Sequence, residues 1–233
     1  MISKIAEIRK VDDFKFKKNG IIGILTRKYL ACHITNFFCK TNITPIQVTG
    51  IGFLITILAV MLILTAEPTY LIIAGILLYF SKVFDSVDGQ LARVTKRTSD
   101  KGAWLDNIVD RFKEITIIFA ITFALFQQTS NGQVWIYGIL ALISVYMLSV
   151  VLSTSGKTDE NKLRETHNKF FLTKFVKKMG ISTQFLAIQS DTYLFITALL
   201  LIFNQLLIAL MFFAIIINLY WLAIFSLMLL KKW

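Results

Sequence analysis

Four aspartates stand at helical spacing, Asp85 with Asp88 and Asp106 with Asp110. Steps of three and four put both members of each pair on one face of a helix. Gly89, Ala92 and Arg93 follow the first pair, and Gly102 precedes the second after eight intervening residues. Two such helices joined as a hairpin would point four carboxylates at one small volume. Buried charge of that density is tolerated when cations neutralise it. Oxygen-only ligands select a hard ion, Mg²⁺, Mn²⁺ or Ca²⁺, over zinc. The glycines and Ala92 leave the backbone bare enough for a bulky polar ligand to approach. With Arg93 at hand, the set suits a diphosphate, whose charge metal and guanidinium both offset. The alternative is plain ion pairing of the aspartates with Arg93, Arg97, Arg111 and Lys113. Four acids at fixed spacing favour the metal.

The elements that must carry these residues are membrane helices. The chain has 233 residues, 56% of them hydrophobic, and stretches such as Val134 to Leu152 and Leu206 to Leu230 contain no charge. Spanning a bilayer takes about 20 such residues. Thr44-Pro45 is a helix start signal, and the first span should run on to Leu64. The second should run from about Tyr70 to Asp88, the third from Trp104 to Phe126 and the fourth from Val134 to Leu152. Spans five and six divide Phe185 to Leu230 at Asn204-Gln205. In the second and third spans the apolar parts, Tyr70 to Phe80 and Ile115 to Phe126, are only about three turns each. Their charged ends must complete the crossing and face a polar cavity.

Charge sets the orientation. The net charge of +11 is concentrated before Ile46, around Arg93 to Lys113, in Lys157 to Lys178 and at the C-terminus, while the alternate turns carry no basic residue. The positive-inside rule places both termini and the aspartate hairpin on the cytoplasmic side, and explains the excess without nucleic acid. The N-terminus lacks the apolar core of a cleavable signal, so the first span is expected to direct insertion. The chain thus reads as all-α and polytopic, with six transmembrane helices and an interfacial helix over Gly20 to Cys39. Residues 1–43 form a cytoplasmic segment and 44–233 the catalytic domain. Cys32 and Cys39, seven residues apart on a helix, are too distant for a disulfide.

The pattern D-x2-D-G-x2-A-R-x8-G-x3-D-x3-D, filled at every position from Asp85 to Asp110, resembles the signature of the CDP-alcohol phosphotransferase family. Thr44-Pro-Ile-Gln-Val-Thr49 is similar to that family's start of the first span. The resemblance implies that Asp85, Asp88 and Asp106 ligate a pair of Mg²⁺ or Mn²⁺ ions, with Asp110 close by as a further ligand and the candidate general base. Asp88, Gly89, Ala92, Arg93, Gly102 and Asp106 would line the CDP pocket. It also implies a homodimer, a CDP-linked lipid donor whose tails stay in the bilayer, a small polar alcohol acceptor and release of CMP at a cytoplasm-facing site.

Lys82, one turn before Asp85, and the loop residues Lys157 and Arg164 are candidates for binding an acceptor phosphate. Lys162, His167 and Lys169 share that loop, where the positive-inside rule alone also explains the charge. His33 and His167 lack partners at zinc-ligand spacing. Asp191 could pair with a loop cation or orient the acceptor. The loop and N-terminal region resemble members that make phosphoinositol lipids, but Gln189 and Thr192 stand where arginines are expected. The acceptor therefore reads as inositol phosphate or glycerol phosphate, with CDP-choline or CDP-ethanolamine transfer to diacylglycerol as the alternative. An intramembrane prenyltransferase would carry two aspartate-rich motifs on separate helix pairs, and a cation transporter would carry acids toward the far side, where only Glu67 is expected.

Overall fold

The computed structural model describes residues 30–155 and 190–229, and the described residues are helical with no strand. A short helix α1 (Cys32–Phe38) precedes α2 (Pro45–Leu64), α3 (Pro68–Val94), α4 (Asp100–Thr129) and α5 (Gln133–Ser155). Then come α6 (Ser190–Ile202), α7 (Leu206–Met211), a π-helical stretch (Phe212–Ile217) and α8 (Asn218–Leu229). The interfacial helix expected over Gly20 to Cys39 lies partly outside the described residues. Lys157, Lys162, Arg164, His167 and Lys169 lie wholly outside them.

The Thr44-Pro45 start signal acts where the sequence puts it. Thr44 and Gln47 form a capping box: the Thr44 hydroxyl accepts from Gln47 N at 3.3 Å, and Thr44 N donates to Gln47 Oε1 at 2.8 Å. Pro45 then starts α2 with a ring that needs no N–H partner. Ser99 caps α4 by accepting from Gly102 N at 3.1 Å. The break expected at Asn204-Gln205 is present, with Asn204 at φ 56° closing α6.

Among the described residues four segments are long and apolar enough to cross a membrane: Pro45–Leu64, Pro68–Val94, Gln133–Val151 and Leu206–Ser226. Because α3 starts at Pro68, its crossing length has to take in Lys82. The 30 residues of α4 extend about 45 Å, but its first half carries the aspartates and their cations. The outer faces of α2 and α5 expose Leu54, Leu58, Met61, Ile139, Ile143 and Tyr146, as helices bathed in lipid do. Inside, one apolar core gathers Leu71, Ala74 and Leu78 of α3, Ile117, Ile121 and Ala124 of α4, and Leu201 and Phe213 beyond.

Between helices in lipid, close packing replaces the hydrophobic effect, and small residues permit it. A Cβ on Gly75 would lie 2.5 Å from the Ala198 carbonyl oxygen, so α3 and α6 cross nearly backbone to backbone. A Cβ on Gly138 would meet the Thr122 side chain at 2.6 Å, so the backbone of α5 rests against that side chain of α4. These contacts seat α6 against α3 and α5 against α4, the two helices that carry the aspartates. Cys32 and Cys39 form no disulfide with each other.

Candidate active site

The turn between α3 and α4 folds the two aspartate pairs onto each other. One carboxylate oxygen each from Asp85, Asp88 and Asp106 lies within 4.8 Å of the others. Asp110 is not in that group but adjoins it, because Lys113 Nζ reaches both Asp85 Oδ1 at 3.4 Å and Asp110 Oδ1 at 3.5 Å. Lys82 pairs with the other oxygen of Asp85. Asp88 is buried and accepts from the Thr49 hydroxyl at 2.6 Å, the length of a charge-assisted bond.

The ion pairing weighed as an alternative is therefore present in part, through Lys113 and also Lys82. It is centred on Asp85 and does not quench the cluster. Asp106 Oδ1 is buried and has no hydrogen-bond partner among the described residues. An acceptor-only group in that state costs a few kcal/mol, and a cation beside Asp85 and Asp88 would satisfy it. The donor set is all carboxylate, so the residues fit a hard divalent ion.

A cavity of about 500 Å³ opens beside the cluster, within the range of small-ligand sites. All six residues expected to hold CDP line it: Asp88, Gly89, Ala92, Arg93, Gly102 and Asp106. Asp88 and Asp106 thus belong to both cavity wall and oxygen cluster. A Cβ at Gly89 would come within 3.1 Å of Arg93 Nη1, so the missing side chain lets the guanidinium lie over the helix backbone. The start of α2 supplies the facing wall through Thr44, Pro45 and Thr49, and the turn before α4 adds Arg97, Thr98 and Ser99.

Sequence reasoning gave Thr49 and Lys113 no positive role. Lys113 lies one turn beyond Asp110, a spacing that could have marked it, whereas Thr49 is 39 residues from Asp88 and nothing local links them. A further polar group went unnoticed. Glu114, buried one turn beyond Asp110, accepts from the Tyr193 hydroxyl of α6 and pairs with Arg111 Nη1 at 2.6 Å. That knot ties α6 to α4 below the aspartates. Lys82, a candidate for the acceptor, is engaged with Asp85 here, and the described side chains do not include that of Asp191.

The family model for CDP-alcohol phosphatidyltransferase matches residues 42–225, from just before α2 into α8. The chain belongs to the CDP-alcohol phosphatidyltransferase family. It is 40% identical over 112 residues to an archaetidylinositol phosphate synthase of Pyrococcus horikoshii, a stretch covering 46% of this chain and 53% of that protein. It is 34% identical over 109 residues to a bifunctional IPC transferase and DIPP synthase of Thermococcus kodakarensis, covering 46% of this chain and 23% of the relative. A protein of the same name from Archaeoglobus fulgidus is 27% identical over 135 residues, 58% of this chain and 25% of the relative. The chain thus matches about half the length of the first of these relatives and about a quarter of the other two. Membership of the CDP-alcohol phosphatidyltransferase family sets aside the prenyltransferase and transporter readings.

Proposed function

We propose that this chain transfers a phosphatidyl-type group from a CDP-linked lipid to a polar alcohol, with release of CMP, and that the alcohol carries a phosphate. The observation that carries the reading is the sharing of Asp88 and Asp106 between a nucleotide-sized cavity and a carboxylate cluster. A diphosphate seated there would have its sugar and base toward Gly89, Ala92 and Arg93, and its reacting phosphorus at the aspartates.

Asp85, Asp88 and Asp106 would hold Mg²⁺ or Mn²⁺, two ions as the family resemblance implies. When bound, the metal offsets the diphosphate charge and stabilises the departing CMP. Thr49 holds Asp88 in place, and Lys113 tethers Asp110 to the cluster without occupying the cavity. Asp110 takes the proton of the attacking hydroxyl. The new bond joins the acceptor oxygen to the lipid-linked phosphorus, and the bond to the CMP oxygen breaks on its far side.

A phosphate on the acceptor is supported by the names of the relatives, one of which is a synthase of archaetidylinositol phosphate, and by the basic residues Lys157 and Arg164 expected nearby. Inositol phosphate is the first choice and glycerol phosphate the second. Six crossings, cytoplasmic termini, a cytoplasm-facing site and a homodimer complete the proposal. α4 and α6 would supply the two crossings beyond the four apolar segments. The test is CMP release by the purified protein in lipid nanodiscs with one CDP-lipid and a panel of acceptors. Inositol phosphate should turn over fastest. Faster use of serine or free inositol would refute the phosphate-bearing acceptor.

A further inference from the structure

Helix α1 lies against the back of α3, on the side away from the cavity. Ala31, Val48, Val83, Val87 and Leu91 form one buried apolar patch there. Within it Thr35, fully buried, donates through its hydroxyl to Gln90 Oε1 at 2.9 Å, and Gln90 is itself only 1% exposed. A buried hydroxyl without a partner is costly. The bond is therefore specific about where α1 and α3 meet.

Its place on α3 gives it consequence. Asp88, Gly89, Ala92 and Arg93 face the cavity, whereas Val83, Val87, Gln90 and Leu91 make up the back stripe. Gln90 directly follows Gly89, which has no side chain with which to brace the helix from the front. Glycine also weakens a helix interior relative to alanine. The backbone that floors the cavity is thus braced from behind, through Gln90.

We propose that Thr35 is a positioning residue for the nucleotide cavity: through Gln90 it sets the place of Gly89 and Asp88, so α1 helps fix the affinity for the CDP group. This rests on the reading that the cavity receives CDP. Thr35 touches neither substrate. Its effect is on donor binding and not on the acceptor.

The test uses the full chain in nanodiscs with Thr35→Val, which keeps the shape and removes the hydroxyl, and Thr35→Ser, which keeps the hydroxyl. Thr35→Val should raise the CDP-lipid KM about tenfold, the size of a lost bond of this kind, with acceptor KM unchanged and the melting temperature lowered by no more than a few degrees. Thr35→Ser should stay near the parent protein. Where Thr35→Val does not fold, the double variant Thr35→Val, Gln90→Leu removes both ends of this bond, and the same rise in donor KM is expected. An unchanged donor KM, an equal shift in both KM values, or a Ser variant as impaired as Val overturns the proposal. Ala92→Phe, which fills the cavity, separates the two readings. If it leaves CDP-lipid use intact, the cavity assignment fails. If it abolishes use while Thr35→Val leaves donor KM alone, the cavity stands and the role of Thr35 is gone.

Discussion

Replacing Thr49 with valine removes one hydroxyl and little else. That hydroxyl donates to Asp88 Oδ2 at 2.6 Å and also lies 3.2 Å from the Pro45 carbonyl oxygen, so it links the first turn of α2 to a metal-ligand candidate on α3. A hydrogen bond to a charged group contributes about 1.5–3 kcal/mol. At 1.4 kcal/mol per decade this corresponds to roughly 10- to 100-fold in affinity. Loss of a group that orients a metal ligand costs a similar 10- to 100-fold. Thr49→Val should therefore weaken Mn²⁺ binding by one to two decades, read by electron paramagnetic resonance of free and bound Mn²⁺ in the purified protein. Valine matches threonine in shape, so the melting temperature without metal should fall by a few degrees at most, and Thr49→Ser should keep most of the affinity. Mn²⁺ affinity within twofold of the parent in Thr49→Val would show that Asp88 needs no orientation from α2, and the account of the cluster would be wrong.

Three other outcomes are expected. Asp110→Asn should slow transfer by about 10²- to 10⁴-fold, the usual contribution of a general base, while changing CDP-lipid binding far less; near-normal single-turnover rates would remove Asp110 from that role. Gly75→Val should destabilise the bundle by about 1–3 kcal/mol or more, because its Cβ would start 2.5 Å from the Ala198 carbonyl oxygen, and an unchanged melting temperature in detergent would contradict the close crossing of α3 and α6. Tyr193→Phe should lower the melting temperature by leaving the buried Glu114 with Arg111 alone; a melting curve that does not move would show that the Tyr193–Glu114 bond contributes nothing to holding α6.

The hairpin was legible because its chemistry is local. Asp85 and Asp88 lie within one turn, as do Asp106 and Asp110, and the Thr44-Pro45 start signal fixes the beginning of α2; the Ser99 cap, which starts α4 at Asp100 and not at Trp104, was missed. Length and hydropathy likewise gave the boundaries of α2 and α5 and the break at Asn204. What escaped were contacts between helices far apart in sequence. Thr49 meets Asp88, Thr35 meets Gln90 and Tyr193 meets Glu114 across gaps of 39, 55 and 79 residues. No spacing rule reaches across a bundle whose helix order in space is not written in any one segment. Lys82 is a different case: it read as a cation for an acceptor, although its pairing with Asp85 is a local contact three residues along α3.

The central claim is that the cavity beside Asp88 and Asp106 is where a CDP-lipid is cleaved with metal. It is tested most directly by following CMP release from a CDP-lipid in nanodiscs with inositol phosphate present, first with Mg²⁺ or Mn²⁺ and then in excess EDTA. The account predicts CMP release that depends on the acceptor, stops in EDTA, returns when metal is restored and is lost in Asp106→Asn. Undiminished release in EDTA, or full release by Asp106→Asn, would contradict it.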